Sequence, residues 1–343
     1  MSSSLPDPVR SAEGTAAAPP SHRSREADGP AAALAMEGPA VSPAPVIAAA
    51  APPARRSWAP LLQATPLGLV LLFFFVFPLL ATGVVSLWNY TEYSLVPDVT
   101  GRNYVEMFEG CGDLSNGLCT TFRTYISTLR LCGMVWAITL LLGFTVAYFL
   151  CFHVRSDSVR MGLFLLCTAP FLTSNVIRMI SWIPLLGREG AVNQFLVGAG
   201  LADAPQDWLL FSPFSVVLAF VHLYTLFVVV PVFNSMMRID HRLLEAARDA
   251  GASGWQTLWH VVVPLAKPGI VIGSIFVIVL VMGDFVTIGV MGGQQIASVG
   301  KIIQVQMSYL QFPAAAAQAV VLLALVLIII AIMTKLVDIR REL

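Results

Sequence analysis

The chain has 343 residues, 57% hydrophobic and only 12% charged, with a formal net charge of zero and a mean hydropathy of +0.78. A soluble domain of this length carries roughly twice that charged share, so composition excludes a soluble globular protein and points to an integral membrane protein. Zero net charge leaves no electrostatic footprint for nucleic acid.

Residues 1–60 are rich in Ala, Pro and Ser, with no periodic apolar face. Such a stretch cannot bury enough surface to offset its ordering entropy, so a disordered tail is expected. Met1 is not followed by a basic start and an unbroken apolar core, as a signal peptide requires, so the tail is expected to stay in the cytoplasm.

The remainder, 61–343, reads as an all-α domain of six transmembrane helices. A span needs about 20 apolar residues. The candidates run from Pro66 to Trp88, Ile126 to Phe152, Met161 to Leu185, Pro213 to Met236, Gly269 to Met291 and Ala314 to Val337. Arg130 and Arg178 interrupt the second and third. Arg55, Arg56, Arg155, Arg160, Arg238, Arg242, Arg248, Lys267, Lys335, Arg340 and Arg341 fall on one side, against Arg102, Arg123, Arg188 and Lys301 on the other. Short loops rich in Lys and Arg stay inside, so both termini are expected in the cytoplasm.

Of the outer loops, the one from Asn89 to Tyr125 contains Cys111 and Cys119, which an oxidising compartment would allow to pair. Cys132, Cys151 and Cys167 lie in spans and read as small packing residues.

The segment of about 238–268, between spans four and five, is longer than a connector needs. Asp240 can cap a helix over His241 to Ala250, with Glu245 near its positive end. Gly251 sits where a left-handed terminating residue belongs. Ser253 can cap a second short helix through His260, which Pro264 is expected to end, while Pro268 suits the first turn of span five. Ala246, Ala247 and Ala250 give one face little bulk, so another protein could approach the backbone, with Glu245, Arg248 and Asp249 to orient it. The alternative is an amphipathic helix on the membrane surface. That arrangement wants a broad bulky apolar face, and here Leu243 and Leu244 are the only large apolar side chains.

Ionisable residues inside spans are functional candidates. Arg178 and Asp284 lie 17 and 15 residues from the cytoplasmic starts of their spans, roughly 22–26 Å at 1.5 Å per residue. They could pair as a structural ion pair between spans three and five. Alternatively, one or both could face a solute path, where Asp284 would meet a cation with Asn175, Trp182 and Thr287 nearby.

Enzymatic signatures are missing. Lys267, Lys301 and Lys335 are followed by Pro, Ile and Leu, so there is no phosphate-binding Lys-Ser/Thr pair. No Gly-x-Ser-x-Gly elbow occurs, and the five histidines lack metal-ligand spacing. The expectation is a non-enzymatic chain without metal or cofactor.

Glu245-Ala246-Ala247, then Gly251, then Pro264 after an apolar run resembles the cytoplasmic "EAA" loop of binding-protein-dependent ABC importer permeases. The resemblance covers the chain from about Pro66 onward. It implies that this loop is a coupling helix docking into an ATPase subunit, with Glu245, Ala246, Ala247, Asp249, Gly251 and Pro264 at the contact. A second stretch, Ala169 to Leu196, is similar to the spermidine/putrescine-type permeases at Pro170, Phe171, Ser174, Arg178, Trp182, Leu185, Leu186, Gly187, Gly190 and Asn193. Gly283 to Gly293 also resembles that group, except that Ile288 stands where the group has Pro.

The resemblance implies a bacterial inner-membrane importer subunit working with an ABC ATPase dimer that binds ATP and Mg. It further implies a second, different permease chain, a periplasmic solute-binding protein and a polyamine solute, an amino-acid derivative being the alternative. The rival class, an ion-coupled secondary transporter, predicts two similar halves with paired broken spans. No such repeat is visible in the sequence.

Overall fold

The computed structural model describes residues 59–91, 95–111 and 119–336. The expected tail falls outside them, apart from Ala59 and Pro60, which already belong to the first helix. Among the described residues the architecture is helical, with one two-stranded exception.

The helix α1 (Ala59–Leu71) continues through a π turn, Leu72–Val76, into α2 (Phe77–Val85). A short antiparallel pair follows, β1 (Asn89–Tyr90) with β2 (Leu95–Val96), in register Asn89 to Val96 and Tyr90 to Leu95. Then come α3 (Arg102–Met107), α4 (Thr120–Phe152) and α5 (Asp157–Thr168). After a 3-10 turn at Ala169–Leu172 the chain forms α6 (Asn175–Ile180), α7 (Ile183–Leu186) and α8 (Ala191–Gly198). The long α9 (Pro213–Met236) precedes α10 (His241–Asp249) and α11 (Gly254–Thr257). A second π turn, Leu258–Val262, leads into α12 (Val263–Gly283), followed by α13 (Val286–Met291), α14 (Val299–Ser308) and α15 (Phe312–Leu336).

Five helical runs are long and apolar enough to cross a membrane, and a sixth is added if one bent pair counts as a single span. That pair is the third candidate, and it corrects the straight span expected from Met161 to Leu185. Pro170 lies in the 3-10 turn, and Thr173 and Ser174 adopt extended backbone. The helices on either side, Asp157–Leu172 and Asn175–Gly198, are bent by 92°. A count of residues along a straight helix therefore does not give the depth of Arg178.

A second correction concerns Pro264. It does not end the short helix, because Gly254–Gly283 is one helical run. A proline lacks the N–H and its ring crowds the carbonyl four residues back. Here the turn just before it widens, and the Val263 N–H reaches the Leu258 carbonyl five residues back. The same device precedes Pro78, where Phe77 N–H reaches Leu72. Both π turns end two residues before a proline, and both helices run on.

The trunk is formed by α4, α9 and α12. Its contact is close because Gly269 has no side chain: a Cβ there would lie 2.3 Å from the Pro231 carbonyl oxygen. The Gly269 N–H donates instead to Ser235 Oγ at 3.0 Å. Val135, Ala147, Phe220, Val228 and Val277 are completely buried around this contact. The first span is the opposite case: Phe73, Phe74, Phe75 and Phe77 are all exposed, as expected for side chains meeting lipid.

Cys111 and Cys119 are disulfide-bonded. Cys132 and Cys151 are buried, with thiols directed at the Ile278 and Phe233 carbonyls, whereas Cys167 is exposed. Beyond Gly292 the last connection is not a plain loop, since it contains α14 with Lys301 in its first turn. Ser298 caps that helix by accepting the Lys301 N–H.

Candidate functional site

Two helix interruptions face one another across a cleft of about 450 Å³ lined by Asn175, Met179, Tyr224, Asp284, Phe285 and Thr287, among others. Asn175 opens α6 just after the break in the bent pair. On the other side α12 stops at Gly283, Asp284 is extended (φ −83°, ψ 114°), and α13 starts at Val286. The fifth span expected to run to Met291 is therefore broken at its acid.

This break is held by side chains. The first N–H groups of any helix lack partners within it. Asp284 Oδ1 accepts the Thr287 N–H at 2.9 Å, as a capping carboxylate does. Its Oδ2 accepts the Thr287 hydroxyl and the Tyr224 hydroxyl, both at 2.7 Å. At the far end of α13 the Ser215 hydroxyl donates to the Met291 carbonyl at 2.9 Å. Thr287, Tyr224 and Ser215 are all buried, so these bonds form away from water and are correspondingly costly to lose.

Arg178 does not pair with Asp284. Its guanidinium donates to Asn175 Oδ1, one turn back on its own helix, and Nε has no hydrogen-bond partner. The side chain is buried, with 8% of its surface exposed. The reason is local: Asn175 and Arg178 lie three residues apart on the same short helix, within easy reach. Asp284 is thus hydrogen-bonded by three neutral donors, and no ion pair to it exists among the described residues.

Of the residues expected along a solute path, the structure brings Asn175, Asp284 and Thr287 to one cleft and puts Arg178 behind Asn175. Trp182 lies elsewhere: its Nε1–H donates to His222 Nδ1 at 3.0 Å. Sequence reasoning missed Tyr224. The signal was present in "VHLYTLF", where His222, Tyr224 and Thr225 put three polar groups in mid-span of an otherwise apolar helix.

The second candidate is α10 with α11. Asp240 Oδ1 accepts the Arg242 N–H at 2.9 Å and starts α10. The helix ends in a Schellman arrangement: Gly251 N–H donates to the Arg248 carbonyl and Ala252 N–H to the Ala247 carbonyl, at 2.8 and 3.0 Å. Gly251 has φ +82°, a conformation that L side chains rarely adopt. Ser253 and Gln256 then form a reciprocal capping box. Leu244 is buried and ties α10 to the core, while Glu245, Ala246 and Asp249 are exposed and Ala247 is half-buried. Pro264 is exposed on the helical run that follows.

No group of three or more His, Cys, Asp or Glu side chains is placed to hold a metal among the described residues.

The sequence family described as "Binding-protein-dependent transport system inner membrane component" matches residues 134–342. The "Spermidine/putrescine transport system permease protein PotB" of Salmonella typhimurium is 34% identical over 185 residues, 54% of this chain and 63% of that protein. Its Escherichia coli counterpart is also 34% identical over 185 residues, 66% of its length. The chain therefore spans a little under two thirds of these relatives. A solved bacterial alginate ABC transporter, in complex with an alginate pentasaccharide-bound periplasmic protein, has a chain that superposes with a TM-score of 0.60. That match covers 82% of this chain and 94% of the other at 17% identity, and the likeness is one of fold.

Proposed function

This chain belongs to the family of binding-protein-dependent transport system inner membrane components, and from that premise we propose that it is a transmembrane subunit of an ATP-driven importer for small cationic amines of the spermidine/putrescine kind. The relatives named for spermidine and putrescine transport support the solute class. So does one observation on this chain: Asp284 lines the cleft with its negative charge met only by neutral donors, because Arg178 is engaged by Asn175. An acid neutralised by Arg178 would offer a cation nothing. An acid hydrogen-bonded by hydroxyls and an amide keeps its charge available.

In this reading the bent pair counts as the third of six spans, both termini are cytoplasmic, and α10 is the coupling helix. Glu245, Ala246, Ala247, Asp249, Gly251 and Pro264 meet an ABC ATPase, whose dimer binds ATP and Mg and performs the hydrolysis. This chain itself is not an enzyme. A periplasmic binding protein delivers the solute, and a second permease chain supplies the other docking helix. Asn175, Asp284 and Thr287 face the solute directly, with Arg178 fixing the Asn175 amide. Trp182 acts at a distance, through His222 on α9.

The test is uptake of radiolabelled putrescine into proteoliposomes holding the full importer, with its binding protein outside and ATP inside. Uptake should be ATP-dependent and fall at least about ten-fold in Asp284→Asn, the loss expected for one charge-assisted contact. Transport of an anionic or neutral solute, with putrescine neither carried nor competing, overturns the reading.

A further inference from the structure

The carboxylate in the cleft is not equally open at its two oxygens. A carboxylate oxygen accepts about two hydrogen bonds. Asp284 Oδ2 already accepts two hydroxyls, from Tyr224 and Thr287, and is full. Oδ1 accepts only the Thr287 N–H and keeps one position free. The Tyr224 hydroxyl is held where it is, because the residue is 5% exposed and its ring stacks on Phe220 with centroids 5.6 Å apart.

We propose that Tyr224 is a specificity-determining residue: by occupying Asp284 Oδ2 it leaves the carboxylate one place for an ammonium group and denies the two-oxygen grip that a guanidinium takes. An ammonium is a compact point charge that one oxygen satisfies, whereas a guanidinium presents parallel N–H groups that fit both oxygens of a carboxylate at once. The cleft therefore favours amines over guanidines of the same length and charge. Tyr224 does this through the acid it holds, and its role rests on the reading of Asp284 as the cation-binding group.

Putrescine and agmatine separate the two ideas, since they share a four-carbon chain and an ammonium end and differ only in the second end group. Each is titrated calorimetrically into the purified importer without its binding protein, so that selectivity at the delivery step does not enter. The intact chain should bind agmatine no more tightly than putrescine, since the guanidinium end gains nothing over the ammonium end that they share. Tyr224→Phe, which keeps the ring and removes the hydroxyl, should shift the ratio of the two dissociation constants toward agmatine by about ten-fold, the size of one added charge-assisted hydrogen bond. Thr287→Val frees the same oxygen and should shift the ratio in the same direction, which covers the case of a poorly folded Tyr224 variant. Asp284→Asn should abolish both bindings. A ratio unmoved in the Tyr224 and Thr287 variants, with Asp284→Asn still silencing both ligands, overturns the role of Tyr224 and leaves the cation site standing. Unchanged binding in Asp284→Asn overturns the cation site itself.

Discussion

The chain reverses or breaks its helices at two places of interest, and it holds them by different chemistry. At α10 the break is made by backbone: Gly251 takes the left-handed conformation, the last carbonyls are satisfied by Gly251 and Ala252 N–H groups, and the flanking side chains are exposed. Between α12 and α13 the break is made by an acid, with Tyr224 and Thr287 closing over it in a buried site. The difference follows from the solvent. A helix end in water can leave groups to the solvent, so glycine and a cap suffice. In an apolar span every freed polar group needs a protein partner, and irregular backbone is tolerated only where protein or a cavity covers it. The interior break thus gathers polar side chains around a cleft, and the exposed one can offer a nearly bare helix face.

Variants can break or sharpen that contrast, and their expected effects on folding fall in a definite order. The largest belongs to the trunk between the two sites. Gly269→Leu drives a side chain into the Pro231 carbonyl, which is backbone and cannot move aside. A loss of roughly 3 kcal/mol or more is expected, at the upper end of overpacking, read as a collapsed thermal transition in detergent. Next comes Asp284→Leu, which strips the acceptor from two buried hydroxyls. About 2–4 kcal/mol should be lost, since each buried donor without a partner costs about 1–3 kcal/mol. Asp284→Asn keeps an acceptor and should unfold nearly as the parent does. If both variants were equally stable, the interior break would not depend on its side chains.

Gly251→Val tests the exposed break. Forcing a β-branched residue to φ +82° should cost about 1–2 kcal/mol, with putrescine binding at the cleft unchanged by calorimetry. Ser253→Ala removes one half of the capping box and should cost about 1 kcal/mol, seen as faster amide exchange confined to α11. The smallest effect on folding is that of Glu245→Lys. The side chain is exposed, so stability should change by less than about 0.5 kcal/mol. Co-purification of the ATPase and ATP-driven uptake should nevertheless be lost, and survival of both sinks α10 as the coupling helix.

Much of this was legible from residue order. Span positions follow from runs of apolar residues, because burying backbone in lipid demands long apolar helices. The caps at Asp240 and Ser253 and the turn at Gly251 were legible for a related reason: each depends on residues within four positions of one another. The Pro264 outcome was not legible from the proline alone, since whether a helix stops or widens depends on how tightly its neighbours hold it. Pro264 lies four residues before Pro268, next to the Gly269 contact with α9, and the held helix widens.

The sequence by itself therefore determined the membrane class, the long apolar runs and the caps at Asp240, Gly251 and Ser253, all of which arise from short-range periodicity and capping. It also identified Arg178 and Asp284 as the charges that needed an explanation. Tertiary structure alone decided that they do not pair and that Asp284 is met by Tyr224. The 92° bend takes the helix of Arg178 off the straight course the residue count assumed, and Tyr224, 60 residues from Asp284 in sequence, takes the acid. No spacing rule encodes a contact between helices, because it depends on how two cylinders rotate against each other when their side chains pack.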